Sequence, residues 1–325
     1  MKEIMVGVDL GGTNIKAAAF CAQSLDRLWE NRIPTQADRG WEAVLGRIVL
    51  ALEPLWAQAS KDRVACVGVG VPGLLDIEEG ISYFSPNFPQ WKDVPVAAWL
   101  KERLALPVFI DNDVRVNLYG EWLQGAGRGK RNVVLLTLGT GLGSGIVMDG
   151  HVLYGTTSSA GEIGHMNMVR EGRPCKCGSS GCLGRYVSAL GMLRTLWEKL
   201  QAGQPSVILD WVGGELSAIT ADMVSRAYDL GDPAAVETMR ETGELLGFGL
   251  VNVINLFNPE VVIVGGGMAA AGERLLGPAR RVVDTHALEL SRQSCQIVTA
   301  QLGDAAGMLG AALYGRQRLH TGSRL

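Results

Sequence analysis

Near its N-terminus the chain reads Ile4-Met-Val-Gly-Val-Asp-Leu-Gly-Gly-Thr-Asn-Ile-Lys-Ala-Ala-Ala-Phe20. Two apolar runs, Ile4–Val8 and Ile15–Phe20, flank a glycine-rich turn. The turn is too short for the crossover that parallel strands need, so we expect an antiparallel hairpin. About 130 residues later, Leu135-Leu-Thr-Leu-Gly-Thr-Gly-Leu-Gly143 repeats this pattern. Two such hairpins predict a duplicated core with a cleft between the copies.

Length and composition fit a large globular protein. The chain has 325 residues, of which 47% are hydrophobic and 19% charged, and this excludes a disordered chain. Apolar runs alternate with helix-like stretches such as Trp41–Ser60 and Tyr186–Leu200, which favours an α/β architecture of about two domains. We expect a small N-terminal domain of residues 1–115, completed by a C-terminal helix in 305–325, and a large domain of residues 116–304.

Charge and hydropathy exclude two classes of partner. The formal charge is −3 and no long basic run occurs, so nucleic-acid binding is not expected. The longest uncharged apolar stretch, 132–148, is interrupted by glycines, and the N-terminus lacks the pattern of a signal peptide. We therefore expect a cytoplasmic protein without a membrane partner.

Three glycine clusters could approach a ligand closely. In Asp9-Leu-Gly-Gly-Thr-Asn14 the backbone N–H groups could face a phosphate, and Asp9 could hold Mg²⁺ through water, although a tight hairpin alone would also explain the turn. The turn 139–143 repeats this chemistry. The third cluster, Val264-Gly-Gly-Gly-Met268, could lie against a flat adenine ring or serve helix packing. None of the three contains a P-loop lysine.

The segment Phe109-Ile-Asp-Asn-Asp-Val114 places polar residues at the end of a short strand. A phosphoryl transfer to a hydroxyl group needs a base at a fixed position, and an aspartate between a strand and a helix provides one. Helix capping by Asn112 or Asp113 explains the same residues equally well.

Four possible metal ligands, His165, Cys175, Cys177 and Cys182, lie within 18 positions. Cys₃His sets are typical of closed structural zinc sites, and Gly178 and Gly181 would allow the tight turns that such a site needs. A disulfide is disfavoured in a reducing compartment and would leave one of the three cysteines unpaired. The sequence therefore predicts structural Zn²⁺.

Taken together, the three glycine clusters resemble the phosphate and adenosine motifs of sugar kinases with the actin-like ATPase (ribonuclease H-like) fold. The similarity is closest to the bacterial glucokinase branch of the ROK family and runs from Met5 to about Arg316. It implies two domains flanking a cleft, and ATP and Mg²⁺ as cofactors. The residues that it assigns to ATP and Mg²⁺ are Asp9, Gly11, Gly12, Thr13, Asn14, Lys16, Gly139, Thr140, Gly141, Gly143, Gly265, Gly266 and Gly267.

For the sugar, the resemblance implies a contact with Asn112 and assigns Asp113 as both a sugar ligand and the catalytic base. Further contacts are implied for the Gly73 backbone, for Asn87 in the loop Ser85–Trp91, and for the Glu162-Ile-Gly-His165 motif. The implied reaction transfers the γ-phosphoryl group of ATP to the 6-hydroxyl of a hexose, with glucose as the first choice. A homodimer or homotetramer is also implied.

One position departs from the family pattern. The family carries a glutamate after Cys-Leu, whereas this chain reads Cys182-Leu-Gly184-Arg185. A kinase for another hexose or for an N-acetylhexosamine therefore stays open, as does a non-catalytic sugar sensor. The regulator branch of the family is disfavoured because only eight residues precede Asp9, too few for a DNA-binding domain.

Overall fold

The computed structural model describes residues 3–85 and 87–322. Its strands are β1 (Ile4–Leu10), β2 (Asn14–Cys21), β3 (Arg27–Pro34), β4 (Val64–Val71), β5 (Leu74–Asp76), β6 (Ile81–Phe84), β7 (Val108–Asn112), β8 (Val133–Leu138), β9 (Leu142–Met148), β10 (His151–Val152), β11 (Val261–Gly265) and β12 (Gln296–Thr299). Pro86 of the predicted sugar loop, and the terminal residues 1–2 and 323–325 of the predicted small domain, lie outside the described residues.

The helices alternate with these strands along the chain, as an α/β protein requires. They are α1 (Trp41–Trp56), α2 (Val96–Leu104), α3 (Asp113–Gln124), α4 (Gly184–Val187), α5 (Ala189–Gln201), α6 (Val207–Trp211), α7 (Ala221–Asp229), α8 (Pro233–Phe257), α9 (Glu273–His286), α10 (Glu289–Ser294) and α11 (Ala305–Thr321). Among the described residues, no helix has the length and apolar character needed to cross a bilayer.

Two compact units divide the chain. The first unit comprises Met1–Lys130, Gly150–Ala160 and Gln301–Leu325, and the second comprises Arg131–Asp149 and Gly161–Ala300. The expected domain boundaries at 115/116 and 304/305 therefore differ from those of the compact units. The difference has a local cause, since α3 packs against α11 and its Glu121 carboxylate accepts hydrogen bonds from the N–H groups of Gln301 and Leu302.

In the first unit the strand order is β3-β2-β1-β4-β7. Strands β1 and β2 pair antiparallel, whereas β4 pairs parallel with both β1 and β7. Helix α11 lies directly on this sheet. A Cβ atom at Gly7 would lie 1.7 Å from the Met308 carbonyl oxygen, and one at Gly68 would lie 1.8 Å from that of Ala311. These two glycines therefore allow the helix to approach β1 and β4.

The second unit repeats the same arrangement. Its strands lie in the order β9-β8-β11-β12, with β8 and β9 antiparallel and β11 parallel to both β8 and β12. This order matches β2-β1-β4-β7 of the first unit. The predicted α/β fold with a duplicated core is therefore confirmed within each unit. Buried side chains of α5, α8 and α9, such as Leu196, Leu250 and Leu276, pack with Val262 of β11 to form the core of the second unit.

Candidate active site

The first hairpin turn joins β1 to β2. The Gly11 N–H donates a 3.0 Å hydrogen bond to the Asn14 carbonyl, and the Thr35 hydroxyl donates a 2.7 Å bond to the Gly11 carbonyl. A Cβ at Gly11 would lie 2.9 Å from the Asn14 oxygen, and one at Gly12 would lie 3.3 Å from the Asn87 side chain. The two glycines thus provide room for close neighbours, and one of these neighbours is a predicted sugar ligand.

Asp9 lies near the end of β1, opposite Lys16 of β2. Burial by the surrounding protein raises the pKa of Asp9, Lys16 lowers it, and Asp304 raises it again. The Lys16 ammonium lies 2.9 Å from an Asp304 carboxylate oxygen, so its charge is shared between two acids. A Cβ at Gly307 of α11 would lie 3.0 Å from the Asp9 carboxylate. The absence of a side chain at Gly307 therefore leaves room for this carboxylate.

The β7–α3 junction holds the predicted base. Asn112 is the N-cap of α3, and its side-chain oxygen accepts hydrogen bonds from the N–H groups of Val114 (2.9 Å) and Arg115 (3.3 Å). Its amide nitrogen donates a 3.1 Å hydrogen bond to the Gly73 carbonyl. Capping, which the sequence left open for either residue, is therefore performed by Asn112. Asp113 begins the helix, and its carboxylate accepts a 3.0 Å hydrogen bond from the Val114 N–H.

The electrostatics of Asp113 suit a proton acceptor. Its pKa is raised to about 6, first by burial and then by the charge of Asp9, and the opposing effects of the Val114 N–H and of Arg115 are smaller. A carboxylate with such a pKa stays ionised at neutral pH but binds a proton more tightly than an ordinary aspartate. The geometry brings Gly73 and Asn112 into contact, and Asp9 and Asp113 into electrostatic interaction.

In the second unit the turn between β8 and β9 is closed by a 2.9 Å hydrogen bond from the Gly139 N–H to the Gly141 carbonyl. A Cβ at Gly139, Gly141 or Gly267 would meet no atom within 4 Å, so these glycines border open space. Gly266 differs, because its φ of +82° and the Leu138 carbonyl 2.4 Å from its Cβ position require glycine for the fold itself.

A cavity of about 550 Å³ lies beside these glycines. Of the predicted nucleotide residues, Gly139, Thr140 and Gly267 line it, whereas Gly141, Gly143, Gly265 and Gly266 are not among its lining residues. Sequence reasoning missed the rest of the lining, which is Ala189, Met192, Ala221, Asp222, Ser225, Arg226, Asp229, Met239, Met268, Ala270, Ala271 and Arg274. Most of them come from helices α5, α7, α8 and α9, which carry no ligand motif, and the other three lie in the 3-10 turn that begins at Gly267. The mixture of apolar walls and a few polar groups is typical of a small-molecule site.

The Glu162-Ile-Gly-His165 motif forms a short 3-10 turn. The Ser144 hydroxyl of β9 accepts a 3.1 Å hydrogen bond from the Ile163 N–H and donates one to the Gly161 carbonyl. The Glu162 carboxylate lies 4.0 Å from the His165 Nε2 atom, and both side chains are exposed. The motif therefore presents one carboxylate and one imidazole nitrogen to solvent.

The four predicted metal ligands converge. The ligand atoms of His165, Cys175, Cys177 and Cys182 all lie within 4.8 Å of one another. His165 Nδ1 is 3.7 Å from the Cys175 sulfur, and the Cys177 and Cys182 sulfurs are also 3.7 Å apart. Zn–S bonds of about 2.3 Å place two sulfurs of a tetrahedral site roughly 3.8 Å apart, so the spacing fits zinc. Because Nδ1 faces the thiols, the other ring nitrogen stays available near Glu162.

The chain resembles known sugar kinases over nearly its whole length. The ROK family model matches residues 5–318. A glucokinase of Halalkalibacterium halodurans is 36% identical, and the match covers 96% of this chain and 95% of that protein. A glucokinase of Thermotoga maritima is 35% identical, with 97% and 98% covered.

A solved structure agrees with these relatives. The crystal structure of a ROK family glucokinase from Streptomyces griseus, in complex with glucose and AMPPNP, is 33% identical. It superposes with a TM-score of 0.82 and covers 97% of this chain and 99% of that one. The family model and relatives above 30% identity thus match this chain over nearly its whole length. The chain belongs to the ROK family.

Proposed function

We propose that the protein is an ATP-dependent sugar kinase that transfers the γ-phosphoryl group of ATP to the 6-hydroxyl of glucose. The observation that carries the proposal is Asp113, a carboxylate with a raised pKa at the start of α3, next to Asn112 and within the same unit as Asp9. The glucokinases that this chain resembles support glucose as the substrate.

In the proposed reaction Asp113 accepts the proton of the 6-hydroxyl while that oxygen attacks the γ-phosphorus and the bond to the departing ADP breaks. A loose phosphoryl transition state requires little covalent chemistry from the protein, so positioning and charge supply most of the rate. Asn112 contributes to positioning because its side chain is already fixed by the helix N-terminus and by Gly73.

We propose that the nucleotide binds through two sets of groups. The cavity beside Gly139, Thr140 and Gly267 would take the adenosine part. The turn of Gly11, Gly12, Thr13 and Asn14 would take the phosphates, and Gly141, Gly143, Gly265 and Gly266 would support them through the backbone.

Asp9 suits Mg²⁺ because burial raises its pKa, so a bound cation would stabilise its ionised form. Bound Mg²⁺ would neutralise charge on the phosphates. Lys16 lies opposite Asp9 in the hairpin and is ion-paired with Asp304, and its role at the ATP and Mg²⁺ site stays a prediction.

For the sugar we propose contacts with Asn112, Asp113, Asn87, Glu162 and His165 and with the Gly73 backbone. A polyol needs several fixed hydrogen-bonding groups, and each of these side chains is placed by a turn or a cap. A structural Zn²⁺ on His165 and the three cysteines would fix the imidazole ring, with all four positions taken by protein ligands.

The cysteines also bear on location. The described cysteines form no disulfide, which is compatible with the reducing cytoplasm, where ATP is also available. We propose that the protein is located there. The homodimer or homotetramer implied by the resemblance stays a prediction.

The test of the proposed function is ADP release with ATP and a panel of hexoses and N-acetylhexosamines. We expect the highest kcat/KM with glucose, and a product phosphorylated at the 6-position. A higher kcat/KM for another hexose or an N-acetylated sugar would overturn glucose as the substrate. Binding of ATP and sugar without ADP release would favour the non-catalytic sensor.

Gly184 is the position at which substrate choice can be probed. We expect Gly184→Glu to lower the KM for glucose by roughly tenfold, because a carboxylate gains a charge-assisted hydrogen bond to a sugar hydroxyl. A Cβ at this position would lie 3.3 Å from the Gly164 carbonyl oxygen and 3.4 Å from the Leu142 Cβ. Gly164 and Leu142 would therefore have to shift by only a few tenths of an ångström. The measurement is steady-state kinetics over the same panel.

Two matched variants separate the causes of the change. Gly184→Ala reports the cost of the added Cβ alone, and Gly184→Gln keeps the length of glutamate without its charge. If all three variants raise the KM for glucose alike, the missing carboxylate does not determine how this chain binds glucose.

A further inference from the structure

A buried polar network surrounds the β7–α3 junction in the first unit. At its centre is the Asp111 carboxylate, which is fully buried. It accepts hydrogen bonds from the Asn112 N–H (2.6 Å), the Arg115 Nε (2.6 Å) and the Tyr154 hydroxyl (2.8 Å). Two of these three donors lie on either side of Asp113 in the chain, Asn112 directly before it and Arg115 two positions after it. The network therefore holds the backbone on both sides of the proposed base.

The outer end of the network is the segment Gly150–Ala160, which belongs to the same unit. The Arg115 guanidinium donates a 2.7 Å hydrogen bond from Nη1 to the Ser158 carbonyl, and it lies 5.1 Å from the centre of the Tyr154 ring. Ser158 has a φ of +56°, a conformation that non-glycine residues adopt rarely. Such a conformation persists only where the surroundings enforce it, and Arg115 is one of the groups that bind this carbonyl.

We propose that Arg115 and Tyr154 are positioning residues that hold Asn112 and Asp113 in the geometry required for phosphoryl transfer. This inference rests on the proposed function, in which Asp113 is the base. Asp111 links the two residues, because it binds Arg115 through Oδ1 and Tyr154 through Oδ2. Neither side chain is assigned to substrate, since both are buried in the network and their polar atoms are directed at protein groups.

Stability alone does not account for such a network. Replacing a buried ion pair by apolar side chains of similar volume is often neutral or stabilising, so a fold does not need one for its own sake. Its fixed hydrogen-bond directions do restrict the junction, however, since Asn112 is tied at its backbone to Asp111 and at its side chain to the N–H of Arg115. A displacement of a catalytic group by about 1 Å can cost a factor of roughly 10² in rate.

Arg115 also affects the charge of the base. The groups that act on Asp113 are Asp9 of β1, which raises its pKa, and Arg115 of α3, which lowers it. Asp9 is itself influenced by Lys16 and Asp304, and Arg115 is paired with Asp111. Removal of the guanidinium therefore changes both the position and the charge environment of the base, whereas removal of the Tyr154 hydroxyl changes only its position.

The experiment compares Tyr154→Phe, Arg115→Lys and Arg115→Met with the wild type in kcat, KM, thermal stability and pH dependence. For Tyr154→Phe and Arg115→Lys we expect kcat to fall by about tenfold, with the KM values for glucose and ATP within about twofold and the acidic limb of the pH profile in place. Lysine keeps the charge but lacks the rigid fork in which Nε binds Asp111 while Nη1 binds Ser158. For Arg115→Met the acidic limb should also move to higher pH.

Arg318→Met is the matched control. Arg318 is as buried as Arg115, with 7% of each side chain exposed, and it pairs with Glu78 in the same unit. This variant should lose thermal stability and keep kcat. If Tyr154→Phe and Arg115→Lys keep the wild-type kcat, or lose only stability as the control does, the inference is overturned. These two variants decide the matter even if Arg115→Met fails to fold.

A second readout does not depend on catalysis. Carboxyl NMR of selectively labelled protein follows the titration of Asp113 directly, and we expect its pKa to rise in Arg115→Met but not in Arg115→Lys. A failure of the proposed function would appear as a wild type that releases no ADP with any sugar. The Asp113 titration, and the Ser158 backbone in a crystal structure of Arg115→Lys, would still report on the network. An Asp113 pKa that does not rise in Arg115→Met, together with an unchanged Ser158 backbone in Arg115→Lys, would count against it.

Discussion

The Asp113→Asn variant is expected to lose kcat by a factor on the order of 10³, while glucose still binds. General-base catalysis contributes about 10² to 10⁴ in rate, and asparagine cannot accept the proton although it keeps the shape of the side chain. Binding should survive because Asn112 and Gly73 keep their mutual hydrogen bond in this variant. The measurement is ADP release for kcat and titration calorimetry for glucose. Asp62→Asn, at an exposed position in a 3-10 turn, is the control.

The same carboxylate sets the pH dependence of the wild type. Since the pKa of Asp113 is raised to about 6, kcat/KM should fall as the pH drops below that value, where the base becomes protonated. Asp9→Asn removes the charge that helps to raise this pKa, and the acidic limb should then move to lower pH. An acidic limb that stays near pH 6 in Asp113→Asn, with kcat preserved, would assign the base to another group.

Stability should change in the opposite direction to activity. A carboxyl group whose pKa is higher in the folded protein than in the unfolded chain, whose ordinary value is 3.8, contributes stability below that value and loses it as the pH rises through about 6. Above that pH the ionised Asp113 therefore destabilises the fold. Asp113→Asn should melt at a higher temperature than the wild type at pH 8, and the gap should narrow toward pH 5. Scanning calorimetry at the two pH values measures both Tm values.

Most of the fold could be predicted from apolar runs. Both hairpins were predicted, and the structure adds the same strand order around each of them, which the sequence did not predict. The edge strand Arg27–Pro34 was not predicted, because charged and polar residues interrupt its apolar ones and most of its side chains are exposed. Helix Glu273–His286 was not predicted either, because it follows a glycine and contains Pro278, and both residue types usually interrupt helices. The predicted helix Tyr186–Leu200 is two helices, because Ser188 caps the second one and the Ala189 N–H binds the Gly139 carbonyl.

The residues of the candidate site also fall into a group that the sequence predicted and a group that it did not. Local motifs predicted groups of residues that the structure also places together, such as the Asn112–Asp113 pair and the four possible zinc ligands. Sequence reasoning missed groups that only tertiary packing brings there, namely the Arg274–Asp229 ion pair at the cavity and Tyr154, which reaches Asp111 across 43 positions. Their residue types are common on any surface or in any core, so the linear sequence contains no signal that separates them from the rest.

The cysteine cluster lies in a segment that is held by turns and hydrogen bonds rather than by regular secondary structure. Between His165 and Gly184 the chain forms only isolated bridges, such as Asn167 with Cys182, and no regular helix or strand. Gly181 has a φ of +69°, and its Cβ position lies 1.8 Å from the Val169 carbonyl oxygen, so the turn is tight. A metal held by His165 and the three cysteines would cross-link this segment where regular secondary structure does not.

We therefore expect Cys182→Ser to reduce bound zinc from about one equivalent to less than roughly a tenth, because a closed Cys₃His site needs all four ligands. Loss of a structural metal that contributes a few kcal/mol should lower Tm by about 10 °C in a unit of this size. Activity should fall as well, since His165 would lose the metal that orients its ring.

Cys295→Ser is the matched control, because Cys295 is a free thiol of the same unit outside the cluster. Metal analysis and calorimetry on both variants test the site. Freshly purified wild type without zinc, or Cys182→Ser that retains it, would contradict the assignment and leave the 3.7 Å sulfur spacing to be explained by thiol hydrogen bonds.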